Sequence, residues 1–142
     1  MDTGWRADRT NRHAFLNGYI SEVVRVNAYG YDRTEELVPC DAQRDHLTHR
    51  AVLELSAEAL DFYRSNYPYL TDAASRLRGG RKCTLEAAWD DLGRLFALSA
   101  SGHGAGYFDA GLGHLGDTLQ SAARVYGGQD VVYNELHILE VL

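Results

Sequence analysis

Lysine is nearly absent from this chain of 142 residues: Lys82 is the one lysine among fourteen cationic side chains, and the rest are arginine. Such a bias fits a GC-rich coding sequence before it fits an arginine-specific function, although arginine also suits bidentate contacts at interfaces. Cysteine is as scarce. Cys40 and Cys83 stand far apart, with no CxxC and no histidine at ligand spacing, so neither a zinc site nor a disulfide framework is indicated and reduced thiols are expected. Long apolar runs are missing too. No stretch approaches the roughly 20 apolar residues of a membrane helix, and the polar start at residues 1–11 lacks the apolar core of a signal peptide. A soluble protein of the cytoplasm is the expectation, with no membrane partner. Internal repeats and low-complexity tracts are absent as well.

What is present is ordinary for an ordered globular chain: 45% apolar and 24% charged residues. The length suits one domain, 1–142, whose core needs neither metal nor disulfide. Acids outnumber bases, for a formal charge of −6 and a pI near 5.4. That balance argues against direct binding of nucleic acid, which calls for a basic surface. The acids are interspersed with arginines rather than set in dense rows, so they read as solvated helix faces and not as an imitation of DNA.

Hydrophobic spacing organises the chain into an α+β domain, with a helical N-terminal half packed on a small C-terminal β-sheet. Phe15, Leu16, Tyr19, Ile20, Val23 and Val24 mark a first amphipathic helix, stopped near Gly30 and followed by a charged loop. From Asp41, a candidate N-cap, the stripe Leu47, Ala51, Leu55, Ala59, Phe62 predicts the longest helix, ended by Pro68. Arg78 to Lys82 reads as a short basic turn. Thr84 caps a third helix built on Leu85, Ala88, Trp89 and Leu92, Gly93 ends it, and 94–101 reads as a buried strand. Leu112, Leu115, Leu119, Ala122 and Tyr126 form the stripe of a further helix, begun near Asp109 or Gly111. A strand at 131–133, a turn at Asn134-Glu135 and a last strand at 136–142 complete the pattern.

One segment exceeds ordinary packing needs: Ser101-Gly102-His103-Gly104-Ala105-Gly106-Tyr107-Phe108-Asp109. Glycines at alternate positions permit positive φ and close approach, and His103 and Asp109 supply chemistry. Read as a strand-to-helix turn, it places backbone N–H groups where an anion is held, but its spacing is not GxGxxG and no GK[ST] follows. A catalytic His103 oriented by Asp109 or Asp117 lacks a partner nucleophile in any GxSxG context. His46 and His49, with His103 or His114, are permissive for a metal without the specificity of HExxH. The segment therefore reads as a turn, structural or ligand-binding, carried by Gly102, His103, Gly104, Gly106, Tyr107 and Asp109, with no catalytic residue, metal or cofactor assigned. Tyr29, Tyr31, Tyr67 and Tyr69 are candidate partner contacts, because tyrosine is enriched at interfaces, while the cluster Phe62, Tyr63, Tyr67, Tyr69 fits the rim of a core.

The run from Leu98 to Asp109, followed by Leu112-Gly113-His114-Leu115-Gly116-Asp117-Thr118-Leu119 and Ala122-Ala123-Arg124-Val125-Tyr126-Gly127, resembles the signature of a group of small bacteriophage-encoded proteins. That signature reads L-T-x-N-G-H-G-A-G-F-W-D, then L-G-D-x-L-T-x-x-A-x-x-Y-G, and the likeness covers the last third of the chain closely. Ser101 stands in place of Asn, and Tyr107-Phe108 in place of Phe-Trp. Members mostly have no assigned activity. The resemblance implies a phage or prophage gene of accessory character expressed in the host bacterial cytoplasm; because accessory phage proteins of this size often bind host proteins, an inhibitor of a host protein complex, an anti-CRISPR or other anti-defence protein above all, is the expectation by class. A nucleotide- or anion-binding protein or enzyme centred on the glycine-rich turn is the alternative, and a virion or assembly component is a third reading.

Overall fold

A computed structural model describes residues 3–81 and 83–142, and the side chains of all of these except 3–7 and 81. Five helices, α1 (Thr3–Val26), α2 (His49–Ser65), α3 (Tyr67–Arg81), α4 (Leu85–Ser101) and α5 (His114–Arg124), pack with four short strands, β1 (Ala28–Tyr31), β2 (Leu37–Pro39), β3 (Val131–Tyr133) and β4 (Leu139–Val141). The class is α+β, as the spacing predicts. The polar start at 1–11 is helical from Thr3 onward.

Helices α1 and α4 run parallel, side by side. Three contacts step along both in the same direction: Asn17 to Asp90 at 2.8 Å, Glu22 to Arg94 at 3.4 Å and Asn27 to Ser101 at 2.7 Å. Two glycines make the approach possible. A Cβ on Gly18 would overlap the Asp90 carbonyl, and one on Gly93 would overlap the Phe15 carbonyl, so each helix presents a backbone oxygen to the other's bare Cα. Gly93 therefore does not stop a helix, and 94–101 is not a strand. Residues Leu92, Gly93, Phe96, Ala97, Ser99 and Ala100 continue one buried helical face to the end of α4.

A ladder of rings fills the space beside this crossing. Phe62 of α2 stacks on Phe96 of α4 at 4.1 Å and 13°, Phe15 of α1 lies 6.1 Å from Phe96, and Tyr107 lies 6.0 Å from Phe62. All four are fully buried, in the offset arrangement aromatic pairs prefer. A polar seam runs along the outer edge of the same helix pair. Arg25 grips Glu22 with two bonds, at 2.8 and 2.5 Å, and Arg94 joins Glu22 to Asp90.

Other boundaries differ from the sequence reading for local reasons. α2 begins at His49, not near Asp41, because Thr48 is its N-cap and accepts from the Ala51 N–H at 3.0 Å. α2 does end just before Pro68, at Ser65, but Pro68 does not keep Tyr67 out of a helix. It falls in the first turn of α3, where a missing N–H costs nothing. That helix absorbs Arg78 to Arg81, so the basic turn is helical as far as it is described; Lys82 lies outside the described residues. α5 starts at His114 after Gly113, later than Asp109 or Gly111. Glu58 on α2 carries a local cost: burial and the nearby Asp61 carboxylate push its carboxyl up, and its Oε1 has no hydrogen-bond partner among the described residues.

The sheet is ordered β2-β1-β3-β4. Half of it comes from the stretch 28–39 that reads as a loop in the sequence. β1 and β3 are parallel neighbours (Ala28 opposite Val131, Tyr29 opposite Val132), and each carries an antiparallel partner outside it. Ala28, Val131, Tyr133 and Leu139 point into the same core as the helices. The Thr48 N–H donates to the Leu139 carbonyl at 3.1 Å, tying the start of α2 to β4.

Two outcomes follow from the helix pair. Gly93→Ala lowers the unfolding free energy by about 2 kcal/mol or more through overpacking, although alanine in an open helix position gains about 0.5–1 kcal/mol over glycine. Urea titration reads the sign directly. For Glu22, the Arg25 bonds lower the carboxyl pKa against the opposing effect of burial, with Arg94 adding to the lowering. A depressed folded pKa contributes stability above the unfolded carboxylate range, near 4.3, and that contribution is lost as pH falls through the folded value. Thermal melts between neutral pH and about pH 3 are therefore expected to fall less steeply for Glu22→Gln than for the parent.

Candidate functional site

The glycine-rich segment leaves α4 through Gly102, whose left-handed backbone (φ 71°) turns the chain while the N–H groups of Gly102 and His103 both donate to the Leu98 carbonyl, at 3.1 and 3.3 Å. The His103 ring then reaches Asn27, with its Nε2 2.5 Å from Oδ1. Asn27 is 2% exposed and every polar group it has is used. Its Nδ2 donates to Ser101 Oγ at 2.7 Å and to the Gln129 carbonyl at 2.9 Å. Its backbone N–H donates to the Val23 carbonyl, and its backbone carbonyl accepts from the Val131 N–H. Because the Gln129 carbonyl can only accept, the amide orientation is fixed and Oδ1 faces the histidine. Nε2 must then carry a hydrogen.

The far half of the segment closes on itself. Gly106 (φ 149°) donates its N–H to Asp109 Oδ1 at 3.0 Å, and a Cβ there would strike Ser99 Oγ. Ser99 is fully buried; its hydroxyl donates to Gln120 Oε1 at 2.7 Å and accepts from the Tyr107 N–H at 3.0 Å. The Tyr107 hydroxyl donates to the Leu92 carbonyl at 2.7 Å, and burial pushes its pKa well up. His103 and Asp109 thus hold different partners and do not form a dyad. Gly102, His103, Gly104 and Asp109 are exposed, while Gly106 and Tyr107 are buried. The segment leads from a helix into a 3₁₀ turn (Tyr107–Asp109) rather than from a strand into a helix.

The remaining sequence candidates are dispersed. Tyr31 and Tyr69 are exposed and Tyr29 is half-buried, while Tyr67 packs its ring on Trp89 at 6.1 Å. The β1 pair and the α3 pair belong to separate elements. His49 and His114 are exposed at the starts of α2 and α5. Among the described residues no group of three or more His, Cys, Asp or Glu side chains is placed to hold a metal. No described helix is long and apolar enough to cross a membrane. Both cysteines are free thiols, and partial burial with Asp41 beside it pushes the Cys40 pKa up.

A different place gathers exposed groups: the turn end of the sheet. The two hairpins share one design. In the first, the Asp32 N–H donates to the Glu36 carbonyl and the Glu35 N–H to the Asp32 carbonyl; in the second, Asn134 and Ile138, then His137 and Asn134, repeat this. Asp32 Oδ1 accepts from the N–H groups of Thr34 and Glu36, and Asn134 Oδ1 from those of Leu136 and Ile138. Each is a three-residue hairpin loop whose last residue is left-handed, a position glycine usually takes. Glu35 (φ 62°) and His137 (φ 60°) take it instead.

Parallel pairing of β1 and β3 brings the two turns together. Between them lie an open concavity of about 810 Å³, lined by Tyr31, Glu35, Asn134, Glu135 and Leu136, and another of about 380 Å³ that shares Tyr31, Asn134 and Glu135 and reaches Asp41 and His137. Tyr31 is 61% and Leu136 77% exposed. His137 stacks flat on Tyr133 at 4.3 Å and meets the His46 ring edge-on at 5.3 Å. His46 Nδ1 is 2.7 Å from the Tyr133 hydroxyl, which also accepts from the Gln43 N–H. Of this site the sequence names Tyr31 as a partner contact and Asn134-Glu135 as a turn, while His46 and Asp41 stand there in other roles, as a permissive metal ligand and a candidate N-cap. The signal for the rest is the spacing Tyr31-Asp32 to Leu37, repeated as Tyr133-Asn134 to Leu139. Comparison with protein-family models, curated proteins and solved structures finds no match to this chain.

The hydrogen-bond pattern gives an order of effects. Asn27→Ala leaves several groups unsatisfied in a closed place and is expected to cost about 2 kcal/mol or more, whereas His103→Ala, on the solvent side of the same bond, costs below about 1 kcal/mol. Equal losses in chemical denaturation would contradict the central place given to Asn27.

Proposed function

We propose that this is an accessory binding protein, which docks on a host protein complex through the groove between its two hairpin turns. The observation that carries the reading is the pair Tyr31 and Leu136, largely exposed and lining one concavity between the two turns. Tyrosine is a usual anchor of a protein interface, and an exposed aliphatic side chain lining the same concavity extends the apolar surface it offers. Carboxylates at the rim give the surface a sign, consistent with the formal charge of −6, and favour a basic partner surface through complementarity and steering. The resemblance of the last third of the chain to phage-encoded proteins directs the proposal to a bacterial host. There, the basic surface a small acidic protein most profitably covers is that of a nucleic-acid-handling defence complex. Anti-CRISPR inhibition in the host cytoplasm is the particular form proposed, with a protein and not a nucleic acid as the direct partner.

A plaque assay tests this. Expression of the chain in bacteria with an active CRISPR effector is expected to raise phage plating, and Tyr31→Ala with Leu136→Ala to abolish the gain while the melting temperature stays within a few degrees of the parent. Plating unchanged by the parent chain across the defence systems tried would refute the inhibitory reading.

A further inference from the structure

We infer that the groove takes an extended, arginine-bearing segment of the partner protein; this rests on the docking reading above and specifies its chemistry. The two concavities adjoin, with Tyr31, Asn134 and Glu135 lining both. Three exposed carboxylates are distributed over them: Asp41 in one, Glu135 in both, Glu35 in the other. None of the three is in a salt bridge among the described residues, and no lysine or arginine lines either concavity. The groove lining is therefore acidic, although Arg33 stands in the first turn and Arg25 shares a neighbouring concavity with Asp41, and it favours cations over nucleic acid and acidic peptides.

The apolar lining selects among cations. Tyr31 offers an exposed ring and Leu136 an aliphatic surface, between carboxylates that pair with no basic side chain among the described residues. A guanidinium stacks on rings and bonds a carboxylate through two parallel N–H groups, while its methylene stem covers a leucine. An ammonium keeps its hydration and does neither as well. Carboxylates spread across two adjoining concavities suit a segment with several basic residues in extended conformation better than a single basic side chain.

Glu35 supplies a clean probe, because glycine is at ease where Glu35 is strained. Glu35→Gly removes a carboxylate and keeps the turn, so its melting temperature is expected at or above that of the parent. The binding measurement is fluorescence anisotropy of the full chain with a labelled nonapeptide alternating arginine and alanine, beside its lysine and glutamate counterparts. The arginine peptide is expected to bind tightest, the glutamate peptide not at all, and added salt to weaken binding. Glu35→Gly and Glu135→Gln are each expected to weaken it about 2- to 5-fold. Unchanged affinity in the double variant, equal binding of the lysine peptide, or a dimer in solution that Tyr31→Ala dissolves would each overturn the inference. If host complexes are captured by the double carboxylate variant but lost with Tyr31→Ala and Leu136→Ala, docking stands and the arginine inference falls. If the arginine peptide behaves as stated and no host complex is inhibited, the inference stands and the host reading falls.

Discussion

Two backbones in contact set the geometry of this protein. Where α1 crosses α4, Gly18 and Gly93 remove the side chains that would hold the helices apart, and carbonyl oxygens of each helix rest on the other. Ordinary helix pairs pack 8–10 Å apart; a glycine contact on both sides brings them to the near end of that range or closer. Running parallel, both helices finish at the same level. Asn27 and Ser101 therefore meet, and from that meeting point the chain departs in two directions, into β1 and into the glycine-rich segment. A wider crossing would move Asn27 out of reach of Ser101 and of His103 together.

Asn27 turns this geometry into topology. Its side chain joins the end of α4, the turn at His103 and the approach to β3, while its carbonyl receives the Val131 N–H and opens the parallel pairing of β1 with β3. One buried amide thus connects segments that are distant in the chain. Such a group is costly unless satisfied, and its position is correspondingly specific.

The stripe of α2 was legible because Leu55, Ala59 and Phe62 recur at one helical period and are buried together. Gly93 misled for a definite reason: the same missing Cβ that weakens an isolated helix enables a close crossing, and only the partner helix tells the two apart. The hairpin at 28–39 was hidden because Gly30 and Asp32 are turn and stop residues by local rule, while the strand gains its stability from Val131 and Val132, far along the chain. The glycine-rich segment stood out by composition. What it does depends on Asn27, which no local pattern in that segment names. The groove was legible only in pieces, at Tyr31 and at the Asn134-Glu135 turn, since the two turns approach each other through strand order, and order is not written in either turn alone.

The sheet whose central strands come from opposite ends of the chain has a kinetic meaning. Ala28 and Val131 are more than a hundred residues apart, so joining them closes a loop that contains every helix but the first. Helices can form from neighbours in sequence, whereas contacts of this separation come at the entropic cost of long loop closure and slow folding. A chain that has acquired only its helical layer has two separate turns and no groove between them. Binding through that groove would report on completed folding, and a partner seated across both turns would hold the loop shut.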